Sequence, residues 1–306
     1  MLKLNRHYFY SISLFTGAVL LILFSDYTFS ATAFLILLRQ SAILGLMSIG
    51  MGMVMLTGSI DLSAGAVLSL GSSVCCVILA HNPDAVLLSV AAALAVCTLC
   101  GFLNGILITS LSLPAAILTF TMALVYTGLS FLSKARMAKW LAPSAFCSAF
   151  NGNIGIVPTG AMLWFILLAL ASLIMRFTYW GQYIYAIGEN EQALLMLGVQ
   201  TKWYKICTHT ICGFFSGLAG IFMLARISAP SISTNFPLVL EGLTALSFGG
   251  IHFSGSTGRL SGLLLGTLTL IFLKVCMIIY AFPSDVQNLI LALLFLISLV
   301  IARQKQ

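Results

Sequence analysis

Charge is what this chain of 306 residues has least of. Only 7% of its positions are Asp, Glu, Lys or Arg, and the acids number seven. A soluble domain of this length needs far more charged surface, so a soluble globular fold is excluded. The 14 Lys and Arg leave a formal charge of +7, but they are spread along the chain with no basic patch and no interleaved aromatics. No nucleic-acid partner is expected, and the cations are left to set orientation in a bilayer. Catalytic motifs are missing as well. No G-x-x-x-x-G-K-[ST] cradles a phosphate, so the chain does not hydrolyse ATP by itself, and H-E-x-x-H and G-x-S-x-G are also absent. His81, His209 and His252 stand apart without the spacing of a metal set, so no metal, cofactor or enzyme activity is expected. Cys97-Thr98-Leu99-Cys100 has no second pair, and on a helix both thiols share one face and pack as small hydrophobes.

What the chain has in abundance is apolar residues, at 60%. They fall into runs near the length a bilayer requires, which predicts an all-α polytopic membrane bundle in a single domain over residues 1–306. The runs are Tyr8 to Phe24, Ala31 to Thr57, Ser63 to Ala80, Ala85 to Leu111, Pro114 to Ser133, Thr159 to Phe177, Ile206 to Ala225, Leu238 to Phe253, Leu260 to Tyr280 and Val286 to Ala302, about ten spans. Lys134 to Pro158 reads as a loop and Ser228 to Pro237 as a short polar connection. Counting spans with both termini inside puts Lys3, Arg6, Lys202, Lys205, Arg259, Arg303 and Lys305 in the cytoplasm, against Lys134, Arg136 and Lys139 outside.

The chain also repeats itself. GLMSIGMGMVMLTGSIDLSAG from Gly45 and GLTALSFGGIHFSGSTGRLSG from Gly242 keep their glycines in step at Gly52/Gly249, Gly58/Gly255 and Gly65/Gly262. Duplication of this kind is typical of transporters, which handle substrate where the repeats meet; hydropathy leaves open whether the repeat is parallel or inverted. Gly101-x-x-x-Gly105 and Gly213-x-x-x-Gly217 carry the spacing that lets helices approach closely.

Residues 179–205 form the longest polar interruption that holds both Lys and acids. Gly188 is expected to break the segment. A short helix follows, opened by Glu189-Asn190-Glu191-Gln192 and continued by Ala193 to Leu197, with the acids in its first turn and Gly198 after its last. Too short to span and too apolar to float free, it should lie against the membrane, its own bundle or a partner. Two acids stand inside spans. Asp61, with Ser59 before it and Ser63 behind, either caps a helix or faces a solute path, and Glu241 either lines that path or sits at the interface. Arg39, Arg226 and Lys274 are expected to snorkel to headgroups.

Three stretches carry a family resemblance: Gly58-Ser59-Ile60-Asp61-Leu62-Ser63-Ala64-Gly65; Tyr183 to Ala193 with Leu197-Gly198-Val199; and Gly217 to Ile221 with Ala225-Arg226, Glu241 and Phe248-Gly249-Gly250. In this order they resemble the permease subunits of ribose-type sugar importers of the ATP-binding-cassette class. Ser59 and Glu189 stand where that family has glycine, and Leu240-Glu241-Gly242 lacks the aspartate of its E-L-D run. The resemblance implies a multi-pass protein of the bacterial inner membrane that passes a monosaccharide. It implies a second permease chain, a cytoplasmic ATPase gripping Tyr185, Ala186, Gly188, Glu189, Asn190, Glu191 and Gly198, and an extracytoplasmic sugar-binding protein. Asp61, Ser59, Ser63 and Glu241 are the expected path residues. The alternatives are a branched-chain amino acid as solute, or an ion-coupled secondary transporter, which would need more intramembrane acids than these two.

Overall fold

In the computed structural model, residues 31–111, 113–134, 141–231, 233–252 and 255–303 are described. The helices are α1 (Ala31–Leu56), α2 (Ala64–His81), α3 (Val86–Leu111), α4 (Ala115–Lys134), α5 (Ser144–Asn151), α6 (Thr159–Phe177), α7 (Tyr179–Met196), α8 (Thr201–Ile227), α9 (Phe236–Phe248), α10 (Leu263–Ile279) and α11 (Ser284–Arg303). Between α5 and α6 the two-residue strands β1 (Asn153–Ile154) and β2 (Val157–Pro158) pair antiparallel. The expected loop before α6 thus holds a helix and a hairpin.

Seven of the described helical segments are long and apolar enough to cross a membrane, and Phe236–Phe248 and Ser284–Ser298 are shorter apolar helices. The span expected over Tyr8 to Phe24, like Lys3, Arg6, Arg136, Lys139 and Lys305, lies outside the described residues. The span expected to reach Phe253 ends at Phe248, because Gly249 and Gly250 follow and Gly250 takes a positive φ.

α8 is the centre of the bundle, with α1, α2 and α3 packed around it. Its crossing with α3 joins the two small-residue motifs. A methyl group added at Gly101 would strike the His209 carbonyl, and one added at Gly213 would strike the Cys97 carbonyl. Without a hydrophobic drive between helices in lipid, close backbone approach of this kind supplies the association energy. The apolar core is built on α1, whose residues from Ala42 to Leu56 are nearly all buried, and Trp164 of α6 fills the space over Gly45.

The polar connection after α8 runs back along α2. The Ser231 carbonyl accepts from Ser72 Oγ (3.3 Å) and the Ser233 carbonyl from Ser69 Oγ (2.6 Å), while the Thr234 carbonyl lies beside Gly65. Ser228 (φ 59°) and Asn235 (φ 45°) turn the chain at either end, and Pro230 and Pro237 keep it from joining a continuous helix.

Candidate functional site

α7 is not broken at Gly188. It runs through that residue and bends at Asn190, whose φ −157° and ψ 91° are not helical. The Asn190 Oδ1 accepts from the Ala193 amide (3.0 Å), the bond of an N-cap, so the six residues after the bend start a second short helix. Gly198, at φ 78°, closes it as expected. The segment is fastened to the bundle by Glu191, whose carboxylate accepts from Thr201 Oγ1 (3.0 Å) and Lys205 Nζ (2.5 Å). Beyond that anchor, Leu195, Met196 and Leu197 are 51%, 87% and 78% exposed, an apolar tip left uncovered by the described residues.

Gly188 has a different task from the expected break. A Cβ there would collide with the Leu56 carbonyl and lie 2.5 Å from the Ser256 amide. Those two groups are themselves bonded, Ser256 N donating to Leu56 O at 3.1 Å. Gly58 and Gly255, equivalent positions of the two repeats, share the same φ of 76° and approach each other at this point. The turns of both repeats therefore touch each other and the middle of α7, and Gly188 and Gly255 have no room there for a side chain.

Asp61 is 3% exposed, and its Oδ1 accepts from the Ser63 amide (2.8 Å) and Ser63 Oγ (2.6 Å). Asn104 of α3 donates to Ser63 Oγ (2.8 Å), and Tyr126 of α4 donates to Asn104 Oδ1 (2.9 Å). His209 of α8, fully buried, places Nδ1 3.6 Å from Asp61 Oδ2. A buried polar cluster thus ties the turn before α2 to α3, α4 and α8. Ser59 is also buried there. Glu241 of α9, 6% exposed, accepts from Lys274 Nζ of α10 at 2.8 Å. Lys274 does not snorkel, because a buried carboxylate within reach satisfies it better than a distant headgroup. Arg39, in an exposed setting, donates to Asn153 Oδ1 (3.0 Å) of the hairpin.

Between α6, α7 and the turn before α10 opens a cavity of about 780 Å³, bordered by Arg176, Tyr185, Ala186, Glu189 and Arg259. The expected path residues thus fall in two places, the Asp61 cluster with Ser59 and Ser63, and the Glu241 pair. Of the residues expected to face a motor, Tyr185, Ala186, Gly188, Glu189, Asn190 and Glu191 lie on α7 and Gly198 just past its end, with Gly188 and Glu191 turned to the bundle. His209, Asn104, Tyr126 and Lys274 were not legible as partners. A lone asparagine inside the apolar run Gly101 to Ile108 was the one available signal, since an unpaired amide at that depth is costly.

Residues 33–299 match the family described as branched-chain amino acid transport system / permease component. The chain is 30% identical over 281 residues to the ribose import permease protein of Escherichia coli (strain K12), covering 88% of this chain and 85% of that one. It is 32% identical over 248 residues to the fructose import permease protein of Rhizobium meliloti (78% and 69%). It is 31% identical over 274 residues to the autoinducer 2 import system permease protein of Yersinia pestis (88% and 76%). No solved structure matches it.

Proposed function

The chain belongs to the branched-chain amino acid transport system permease family, and we propose that it is the membrane subunit of an ATP-binding-cassette importer that admits a monosaccharide. It is a multi-pass protein of the bacterial inner membrane. The relatives named for ribose and fructose favour a small, hydroxyl-rich solute over a branched-chain amino acid. An ATPase drives the cycle, a binding protein delivers the sugar, and a second permease chain completes the pore.

The observation that carries this reading is α7. Its tip offers exposed Leu195, Met196 and Leu197 to a partner, while its Gly188 rests on the turns of both repeats. A push on the tip reaches those turns through backbone contact, with no flexible side chain between them. Glu191, held by Thr201 and Lys205, passes the same push to α8, the central helix. On this reading Glu189 and Asn190 face the motor, and Asp61 and Ser63 transmit movement between helices. Arg176, Lys202, Lys205 and Arg259 at this end of the bundle support a cytoplasmic location for it under the positive-inside rule.

The test is uptake of labelled D-ribose, D-fructose and L-leucine into vesicles holding the chain with its ATPase and binding protein. Sugar uptake that stops without ATP is the expected result. ATP-driven leucine uptake alone would replace the sugar with an amino acid, and uptake without ATPase would end the importer reading.

A further inference from the structure

Between Ser228 and Asn235 the chain lies beside Ser72, Ser69 and Gly65, all within the candidate span Ala64–His81. It is irregular, hydroxyl-rich chain at membrane depth. Irregular backbone there is tolerated only where it is buried in protein or borders water, because lipid leaves its polar groups unsatisfied. One flank is accounted for. Asn235 Nδ2 donates to Ser69 Oγ (2.6 Å), and Ser231 N donates to Ser72 Oγ (3.2 Å). The other flank is open. Ser233 is exposed, Pro237 is exposed, and Phe236 is 37% exposed. Phe236 meets Phe120 of α4 edge-on, with ring centroids 6.3 Å apart, and Phe120 is itself 47% exposed.

Hydroxyl groups beside open aromatic faces suit one class of solute. A sugar exchanges hydrogen bonds through its hydroxyls and lays the C–H face of its ring on an aromatic surface. We propose that residues 233–237 border the aqueous path within the membrane, and that Ser233, Phe236 and Phe120 form a surface over which a polyhydroxylated solute passes. The proposal rests on the permease reading. It adds the place of contact. The occupant is water and solute, since Ser233 and Pro237 lie exposed on irregular backbone at membrane depth, which lipid does not tolerate.

The experiment uses the transporter assembled with its ATPase in membrane vesicles, carrying Ser233→Cys or Phe236→Cys. Leu99→Cys, at an exposed apolar position of α3, is the control. Each is treated with a sulfonate-bearing methanethiosulfonate, and the labelled peptide is read by mass spectrometry, so native cysteines do not interfere. A charged reagent is kept out of hydrocarbon, so labelling at 233 and 236 is expected to be about a hundredfold faster than at 99. Equal rates at all three positions would overturn the proposal. Labelling reports water access whether or not sugar moves, so its failure is distinct from failure of ATP-driven uptake.

Discussion

The Glu241 carboxylate on α9 and the Lys274 ammonium on α10 meet at 2.8 Å, with their side chains only 7% and 16% exposed. Removing either partner leaves the other charge buried and alone, at a cost of ~3–5 kcal/mol. Glu241→Gln and Lys274→Met are each expected to lower the melting temperature of the detergent-solubilised chain, and the double variant to recover most of the loss. A double variant as unstable as the sum of the singles would show that the pair is not coupled.

Gly188 has no room for a methyl group between the Leu56 carbonyl and the Ser256 amide. Gly188→Val should cut sugar uptake about tenfold or more while the chain still inserts, since about 1.4 kcal/mol of misfit is a factor of ten. Glu189→Lys, which reverses an exposed charge on the same helix, should also stop uptake. Uptake and membrane-inserted protein are measured on the same vesicles, and normal transport by either variant would remove the coupling role of α7.

The α7 tip can be tested without touching the bundle. Met196→Asp and Leu197→Asp place charge on positions that are 87% and 78% exposed, so folding should be unaffected. Loss of ATPase from the affinity-purified complex is the expected outcome. Retention of full ATPase by both variants would move the docking surface elsewhere.

Asp61 serves Ser63 through two bonds and lies beside His209. Asp61→Ala removes the acceptor and should destabilise the fold by ~1–3 kcal/mol, read as a lower detergent melting temperature. Asp61→Asn keeps an acceptor for Ser63 and should recover part of that loss. An Ala variant with an unchanged melting temperature would return Asp61 to the solute path.

Sidedness is a separate matter. Asn190→Cys should react with an impermeant thiol reagent only in inside-out vesicles. Reaction from the external face would invert the topology.

The bundle was legible in the sequence because hydrocarbon allows so few solutions. Runs of apolar residues must be helices when no water is present to satisfy the backbone, so most span boundaries fall within a few residues of expectation. Gly101, Gly105, Gly213 and Gly217 announced a close crossing, and the glycine steps from Gly45 and Gly242 announced two matched turns. What tertiary structure alone decided was partnership. Lys274 finds Glu241 across 33 positions, His209 finds Asp61 across 148, and Gly188 finds the turns at Leu56 and Ser256. A polar group buried at membrane depth must be satisfied by whatever element the packing brings there. That depends on distances in space that no local pattern records, and it is why Ser231 and Ser233 read only as part of a short polar connection yet lie along α2.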